Sequence, residues 1–473
     1  MISRISLSAL LATTMIAMPA SAQSRADAAL ARIEAMQAEI DALRAEVEQL
    51  RAESAADKGA ATAAQAAPAG EAQLAETQPS AIDDQGARLQ TVRAAAEKDV
   101  DRIIWKGAPV ISGDGWSFKP RGRLQVNVGH VGVPDAAYSG SGWNSDIRRA
   151  RLGFEGVIMY DFGYKLEVDF AGNEVEMADA FLFWEGSGLQ IAVGNTKTGI
   201  SLEEEASTRF TSFLERAAFT DAYDIERRVG VRFDYSAGDL LLTGTVQSDD
   251  VDALRDGGDD QWSVAGRIAY APRLGEAGRL HVGASALHTN FASDAQNVRY
   301  RQRANMDSAP VRLVDTGTFA AKGDTIFGLE AAGIFGPLHV TGEASWAHAR
   351  GAGQANGFGG YAEAGYFLTG ETRGYKDWVW DRTKVLSPVT AGGMGALQLL
   401  GRLDYIDLDD QDLRGGTQTS YEAGLIWMPI DYVRLLLNYS HLQVEGGPFG
   451  ALVDPIDGEY GADVFAMRAE IDF

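Results

Sequence analysis

The chain ends with VFAMRAEIDF, residues 464–473, and this stretch decides the fold. Its apolar side chains occupy one parity of an extended strand: Phe465, Met467, Ala469, Ile471 and Phe473. The other parity turns polar toward the end, with Arg468, Glu470 and Asp472. Such alternation predicts a strand that faces lipid on one side and an aqueous lumen on the other, as in transmembrane β-barrels. A final aromatic residue on the lipid side fits the closing strand, and we assign Phe473 as the assembly signal.

Alternation of period two extends backward from this strand to about residue 103. Clusters of Gly, Asp, Asn and Pro divide the region into 16 to 18 candidate strands. Even numbers in this range suit a bacterial barrel. A soluble β-sandwich would leave many apolar strand faces without a partner sheet. We therefore predict an all-β fold, a transmembrane antiparallel β-barrel over residues 103–473.

The N-terminus has the pattern of a secretory signal peptide, assigned to residues 1–22. Arg4 provides the positive charge, residues 7–18 form a short apolar stretch, and Ala20, Ser21 and Ala22 provide a small-residue cleavage site. A membrane anchor is the alternative, but the apolar stretch is too short to span a bilayer. Since no later segment is apolar for the ~18 residues of a transmembrane helix, a spanning protein must be a closed barrel.

Residues 23–52 carry an apolar seam with the spacing of a coiled coil. The a positions hold Ile33, Ile40 and Val47, and the d positions hold Met36, Leu43 and Leu50. β-Branched residues at a with leucine at d favour a dimer in isolated coiled coils, although a trimeric barrel could impose three helices. A solitary amphipathic helix is the alternative. Residues 53–102 are rich in Ala, Gln, Glu and Pro and are assigned as a linker.

Composition excludes several classes of function. The formal charge of −24 disfavours nucleic acid as a partner, because such binding needs a basic footprint. There is no cysteine, the six histidines form no HExxH pattern, and no GxSxG elbow occurs. We predict no catalytic residue, metal site or cofactor. An acidic total does not exclude an anion channel, because the residues that line a pore set its field.

Strand parity assigns several cations to the lumen. In residues 147–158, the apolar side chains share the lipid face, so Arg149 and Arg151 point inward. The same rule places Lys165 and Arg228 in the lumen. The alternative is that these cations only form ion pairs that hold the barrel wall, for which the following carboxylates are available: Glu155, Glu167, Asp169, Asp234 and Asp404.

The strongest local signal is VRYRQRAN, residues 298–305. Arg299, Arg301 and Arg303 share one parity, so their guanidinium groups would form a ladder at ~6.6–6.8 Å spacing along an extended strand. Like charges this close are costly unless carboxylates or passing anions offset them. Arginine stays charged and matches the geometry of oxyanions such as phosphate. The pattern therefore predicts an anion-selective lumen.

Three further segments are ambiguous. Glu203, Glu204 and Glu205 lie in a segment with poor alternation, either a loop folded into the pore or a solvated loop. The aspartates of residues 249–260 are interpreted as a solvated turn, since their spacing does not match a calcium-binding EF-hand. Trp378 and Trp380 would face one side of an extended segment, and we assign them to an interfacial girdle.

Several strings, in this order, resemble the phosphate-selective porin O/P family of Gram-negative outer membranes. They are DIRRARLGFEGVIMYDFGYKLEVDFAG (146–172), GNTKTGISLEE (194–204), FLERA (213–217), ERRVGVRFDY (226–235), VRYRQRAN, RLVDTG (312–317), GLEAAGIFGPLHVTGEA (328–344) and FLTGETRGY (367–375). The resemblance rests on the order and spacing of these strings together with the terminal phenylalanine. The resemblance covers most of the chain after about residue 118.

The resemblance implies a homotrimer of 16-stranded barrels that passes phosphate, polyphosphate or other small anions. The cations that it implies as selectivity residues are Arg149, Arg151, Lys165, Lys197, Arg228, Arg299, Arg301, Arg303 and Arg312. The chain departs from phosphate-specific members in being lysine-poor and acidic. A general or cation-leaning porin is the first alternative.

The expected location is the outer membrane of a Gram-negative bacterium, in contact with lipid and lipopolysaccharide, with the N-terminal region in the periplasm. The second alternative for function is an envelope tether, in which the coiled coil binds peptidoglycan or a periplasmic partner.

Overall fold

In a computed structural model, the described residues are 102–137, 141–173, 175–251, 254, 261–275, 278–291, 296–351, 355–410 and 413–473. Sixteen antiparallel strands form one closed barrel, which confirms the predicted class and strand number. They are β1 (Trp116–Gly132), β2 (Gly142–Ile158), β3 (Phe162–Asp169), β4 (Glu176–Gly186), β5 (Leu189–Lys197), β6 (Arg227–Ala237), β7 (Leu240–Gln247), β8 (Trp262–Tyr270), β9 (Gly278–Asn290), β10 (Phe319–Phe335), β11 (Leu338–Gly351), β12 (Ala355–Phe367), β13 (Ala396–Asp409), β14 (Arg414–Ile430), β15 (Val433–Glu445) and β16 (Glu459–Asp472).

Shorter elements accompany the barrel. The additional strands are Arg102–Trp105, Pro109–Gly113, Arg273–Leu274, Gln296–Val298, Arg301–Arg303, Arg312–Asp315, Tyr375–Lys376 and Val379–Trp380. The short helices are Ala171–Asn173, Leu202–Glu205, Ala218–Ala222, Val389–Ala391 and Gly450–Val453. Within the described ranges, none of the helices is long and apolar enough to cross a bilayer. The predicted signal peptide, the coiled coil and the linker up to residue 101 lie outside the described residues.

The barrel closes where β16 pairs with β1. The register runs from Asp463 opposite Gly132 to Asp472 opposite Arg123. Phe473 extends this pairing by one step, because its backbone N–H and C=O bond Gly122 at 3.0 and 3.2 Å. A Cβ on Gly122 would lie only 2.1 Å from the Phe473 ring, so this position accepts only glycine in this arrangement. The terminal aromatic residue is thus seated on the seam of the barrel.

The two rims of the barrel differ in the length of their connections. At one rim, most adjacent strands are joined by short turns, such as residues 187–188 and 431–432. At the other rim, the connections include residues 198–226 and 291–318. Outer-membrane barrels carry short turns on the periplasmic side and longer loops outside, so we name these the inner and the outer rim.

The outer surface is apolar between two aromatic rows. Near the inner rim the row contains Tyr270, Phe335, Tyr366 and Trp427, all well exposed. Near the outer rim it contains Trp143, Trp262, Trp346, Tyr421 and Tyr439. Exposed aliphatic side chains, such as Val282 and Leu329, lie between the rows. This is the lipid-facing band that strand parity predicted.

Three connections fold into the lumen. We name residues 198–226 the first inward loop, residues 299–318 the second inward loop, and residues 368–395 the inner-rim segment. Phe213, Met306 and Trp380 anchor them, one in each, and are at most 3% exposed. The acidic run at Glu203 is therefore in a loop folded into the pore, which settles that ambiguity.

The girdle assignment of Trp378 and Trp380 was wrong. Both are buried inside the barrel, at 6% and 3% exposure, and they lie in different clusters. Trp378 packs on the wall beside Leu241, whereas Trp380 packs beside Leu202 of the first inward loop. Trp378 has a φ of +56°, which turns the chain and sends the two indoles apart. A two-residue parity rule fails across such a turn.

Candidate functional site

A cavity of about 750 Å³, here called the vestibule, lies among the two inward loops and strands β2, β4, β5 and β6. Nine arginines line it: Arg148, Arg149, Arg151, Arg216, Arg227, Arg299, Arg301, Arg303 and Arg312. Seven carboxyl residues also line it: Glu176, Glu204, Glu215, Asp221, Asp224, Glu226 and Asp250. Arginine therefore exceeds carboxylate locally, although the whole chain carries a formal charge of −24.

A β-bulge in β2 brings Arg148 into the lumen. Gln125 pairs with Arg149 and the next residue, Val126, pairs with Ile147, so Arg148 is the extra residue. A bulge inserts one residue and re-aims side chains. Arg148 Nε then lies 3.5 Å from a carboxylate oxygen of Glu215 and 3.3 Å from one of Asp307. Because these carboxylates belong to different inward loops, Arg148 bridges the two loops.

The predicted ladder forms part of a hairpin in the second inward loop. Strand Arg301–Arg303 pairs with strand Arg312–Asp315. Tyr300 and Gln302 are buried toward the wall, where their side chains bond Asp324 at 3.0 Å and Gln418 at 2.9 Å. The opposite parity, Arg299, Arg301 and Arg303, lines the vestibule.

The ladder residues differ in how their charge is offset. Arg299 is paired with Asp315, and its Nε donates at 2.7 Å. Arg303 is paired with Asp221 and, at 3.0 Å, with Asp307. Arg301 and Arg312, which lies opposite Arg303 in the hairpin register, form no ion pair within the described part of the chain. These two arginines are therefore the cations of the hairpin whose charge is least compensated.

Strand β2 contributes two predicted residues with opposite environments. Arg149 donates to Gln125 Oε1 at 3.1 Å and forms no ion pair with a described carboxylate. Arg151 forms ion pairs with Glu167 at 3.0 Å and Asp169 at 2.6 Å. Both line the vestibule. Of these two residues, Arg149 is the one that can offset the charge of a passing anion without first leaving a described carboxylate.

Three predicted residues lie outside the vestibule lining. Lys165 is paired with Asp179 at 2.6 Å, and Arg228 donates to Thr289 at 3.2 Å. The ammonium of Lys197 donates to the backbone carbonyls of Glu204, Glu205 and Ala206, the last two at 2.8 and 3.0 Å. Lys197 thus holds the C-terminal end of helix Leu202–Glu205, where free carbonyls favour a cation.

The opposite end of that helix is held by Glu343 of β11. Its two carboxylate oxygens accept the N–H groups of Leu202 at 2.9 Å and Glu203 at 2.8 Å. Helix N-termini favour a negative charge because their first N–H groups lack intrahelical partners. The sequence LEEE therefore forms a helical turn fixed between the carboxyl group of Glu343 and the amino group of Lys197.

Other wall charges hold the remainder of the first inward loop. Arg402 bonds Glu203 at 2.6 Å and Glu363 at 2.8 Å, all three residues being buried. Arg434 donates to the carbonyls of Arg209 and Thr211, and Arg468 donates to the carbonyl of Leu214 at 2.7 Å. Much of the lumenal charge therefore fixes the loop and is not exposed to the pore.

A smaller cavity of about 20 Å³ lies on the inner-rim side of the first inward loop. Four arginines line it: Arg209, Arg373, Arg382 and Arg434. Thr211 lines this cavity and the vestibule, so the loop around Thr211 separates the two spaces.

Parity reasoning missed most of the arginines that line the smaller cavity, because they lie on irregular segments. Arg148 could have been found from the sequence, because strand parity places its charged side chain on the lipid face, where a charge is unfavourable.

Glu226, at the end of the first inward loop, gives the vestibule a pH-dependent charge. Burial, with the neighbouring carboxyls of Asp224 and Asp250, raises the pKa of Glu226 to about 8. The group is therefore protonated at neutral pH and gains a negative charge as pH rises through 8. We expect the anion-to-cation permeability ratio to fall between pH 7 and pH 9. Reversal potentials in a KCl gradient measure this ratio.

The matched variant for this prediction is Glu226→Gln, which keeps the size of the side chain and cannot ionise. The fall above pH 8 should be reduced in it. An identical pH profile in both proteins would contradict the assignment.

No group of three or more His, Asp or Glu side chains in the described ranges is arranged to hold a metal ion.

Comparison with known proteins gives one family and several relatives. Residues 118–446 match the family described as phosphate-selective porin O and P. An uncharacterized protein of Caulobacter vibrioides is 39% identical over 387 residues, covering 78% of this chain and 77% of the relative. Porin O of Pseudomonas aeruginosa is 25% identical over 377 residues, which cover 68% of this chain and 82% of that protein. OmpT of Vibrio cholerae has the same fold, with a TM-score of 0.50 at 10% identity. The match covers 79% of this chain and 100% of OmpT.

A closed 16-stranded barrel with a charged, loop-lined lumen defines a porin, a channel of the Gram-negative outer membrane. Within that class, the chain belongs to the phosphate-selective porin O and P family.

Proposed function

We propose that this porin passes small anions, with phosphate or polyphosphate as the favoured solute. The observation that carries the proposal is that two arginines of the vestibule hairpin, Arg301 and Arg312, form no ion pair with a described carboxylate. A low-dielectric wall strengthens the field of such charges, and guanidinium groups match oxyanion geometry. Arg149 adds a third cation without a carboxylate partner among the described residues.

The solute class follows from how anions would be held and released. Conduction requires sites that bind an ion well enough for entry and weakly enough for exit. In the vestibule, Arg299 and Arg303 already have carboxylate partners, which compete with an arriving anion. We infer that Arg301 and Arg312 bind first and that the paired arginines exchange partners as the anion moves on.

Planar-bilayer conductance of the purified protein tests this function directly. In a chloride gradient at pH 7, we expect a reversal potential with the sign of anion selectivity. Titration with inorganic phosphate should then block the chloride current, because phosphate occupies the arginine sites longer than chloride does. A potential near zero or of cation sign, without phosphate block, would contradict the proposal and support a general porin governed by its carboxylates.

We also infer a homotrimer. The six strands β3 to β8 have 8–11 residues each, whereas the other ten have 13–17, so one side of the barrel wall is low. Exposed apolar side chains on that side include Leu182, Val193 and Phe233. Contact between copies along this side would cover these side chains.

We also propose that the N-terminal region lies in the periplasm and binds peptidoglycan. Co-sedimentation with cell wall, before and after deletion of residues 26–52, tests this proposal.

A further inference from the structure

The vestibule has charges of opposite sign on opposite sides. The hairpin of strands Arg301–Arg303 and Arg312–Asp315, here called the arginine hairpin, lies against β14, where Gln302 bonds Gln418 at 2.9 Å. Glu226 immediately precedes β6 at the outer rim. Since β14 and β6 are eight strands apart in a ring of sixteen, they stand on opposite sides of the lumen. The arginine hairpin and Glu226 both line the vestibule, so a solute inside it meets both.

Asp224 and Glu226, here called the acidic pair, have no cation to offset them among the described residues. Burial, and then the neighbouring Asp224, raise the pKa of Glu226. Arg227, the next residue, is paired with Asp179 at 2.7 Å, and Arg216 is paired with Glu204 at 2.6 Å. A positively charged group of a solute would therefore be stabilised at the acidic pair.

The vestibule also has arginine donors without partners among the described residues. Arg301 and Arg312 form no ion pair there. The Nε atoms of Arg312 and Arg149 have no hydrogen-bond partner, and Arg149 is only 9% exposed. A buried donor without a partner is costly, so these groups point to a ligand that carries an oxyanion.

We propose that the vestibule favours small zwitterionic phosphate esters, with the phosphate at the arginine hairpin and an ammonium group at the acidic pair. This inference rests on the proposed function, because it takes the hairpin as the anion site. An inorganic anion is attracted by the hairpin and repelled by the acidic pair, whereas a zwitterion gains from both. The vestibule volume of about 750 Å³ is within the range of sites for small molecules.

Block of the chloride current in planar bilayers at low salt tests the proposal. The probes are phosphoethanolamine and ethyl phosphate, which differ by one ammonium group. At pH 8.5 both phosphates are dianions, the amine stays protonated and Glu226 is mostly ionised. A pore that only attracts anions would hold ethyl phosphate more tightly, because its net charge is more negative. We expect the opposite order, with phosphoethanolamine blocking at about one fifth of the concentration, the effect of one solvated ion pair.

The double variant Asp224→Asn with Glu226→Gln should lose this preference and bind ethyl phosphate at least as tightly as before. Asparagine suits position 224, where φ is +53°. The matched control is Glu445→Gln with Glu459→Gln, which removes two exposed carboxyl groups that are register partners at the same rim and lie outside the vestibule lining. The control should keep the preference. If the double variant does not fold, Asp224→Asn alone should reduce the preference.

Four results would overturn the proposal. Equal block by the two esters, with inorganic phosphate still blocking, would contradict the zwitterion and leave the proposed anion site intact. A preference retained in the double variant would show that the acidic pair does not hold the ammonium group. An equal loss in the control would assign the preference to the total charge at the rim. Absence of block by inorganic phosphate and by both esters would contradict the anion site itself, and the inference with it.

Discussion

Replacing Arg299, Arg301 and Arg303 by alanine should abolish the anion preference of the pore at neutral pH. Apart from Glu226, which is protonated, the vestibule has nine arginines against six carboxyl residues, and the triple variant has equal numbers. The reversal potential in a chloride gradient should therefore approach zero. Above pH 8, ionisation of Glu226 should shift it to the sign of a cation-selective pore.

Block by phosphate should weaken in the same variant by at least tenfold. A hydrogen bond to a charged group contributes about 1.5–3 kcal/mol, and about 1.4 kcal/mol corresponds to a factor of ten. Arg301→Ala alone should produce most of this loss, because Arg301 has no carboxylate to leave among the described residues. Arg303→Ala should produce less, because Asp221 and Asp307 already offset its charge.

Arg228→Ala is the matched control for these measurements, since Arg228 was also predicted to face the lumen but does not line the vestibule. It should leave phosphate block nearly unchanged. Unaltered selectivity in the triple variant, with the barrel folded, would contradict the role of the hairpin. An equal shift in Arg228→Ala would instead assign selectivity to the total charge of the lumen.

Lys197→Met should release the first inward loop and enlarge the pore. The substitution removes the donor from the backbone carbonyls of Glu204, Glu205 and Ala206. Arg216 still donates to the carbonyls of Glu204 and Ala206. The carbonyl of Glu205 loses its donor in a buried setting, which costs about 2–4 kcal/mol together with the lost charge interaction. We expect a conductance at least twice that of the unaltered protein, because the loop no longer stays across the lumen.

Lys165→Met separates this effect from the general loss of a lumenal lysine. Lys165 forms an ion pair with Asp179, and Asp179 keeps Arg227 at 2.7 Å after the substitution. Its conductance should stay close to that of the unaltered protein. Single-channel amplitude and urea unfolding from micelles measure both variants. Equal amplitudes for the two would show that Lys197 does not position the loop.

The barrel could be predicted from the sequence because strand parity is local. Alternation in stretches such as residues 464–473 and 147–158 gives both the strand and its lipid-facing side. The strand number and the inward arginines of β2 follow from the same rule. The exception within β2 is Arg148, where one bulged residue changes the parity.

The loops could not be predicted in this way because their contacts are distant in sequence. Glu343 binds the helix at Leu202 from a strand about 140 residues away, and parity has no information on such pairs. The burial of Trp378 and Trp380 depends on a turn at positive φ, which an extended interpretation cannot represent. Which arginines keep an uncompensated charge also depends on these distant contacts.

The double use of lumenal charge restricts how this pore can evolve. Arg402, Arg434, Arg468, Glu343 and Lys197 hold the first inward loop, so a change in any of them alters the shape of the channel as well as its charge. Arg301 and Arg312 form no contact that holds this loop within the described structure. Descendants of this chain can therefore acquire a new solute at these two positions at little cost in stability, whereas changes elsewhere in the lumen require compensating substitutions.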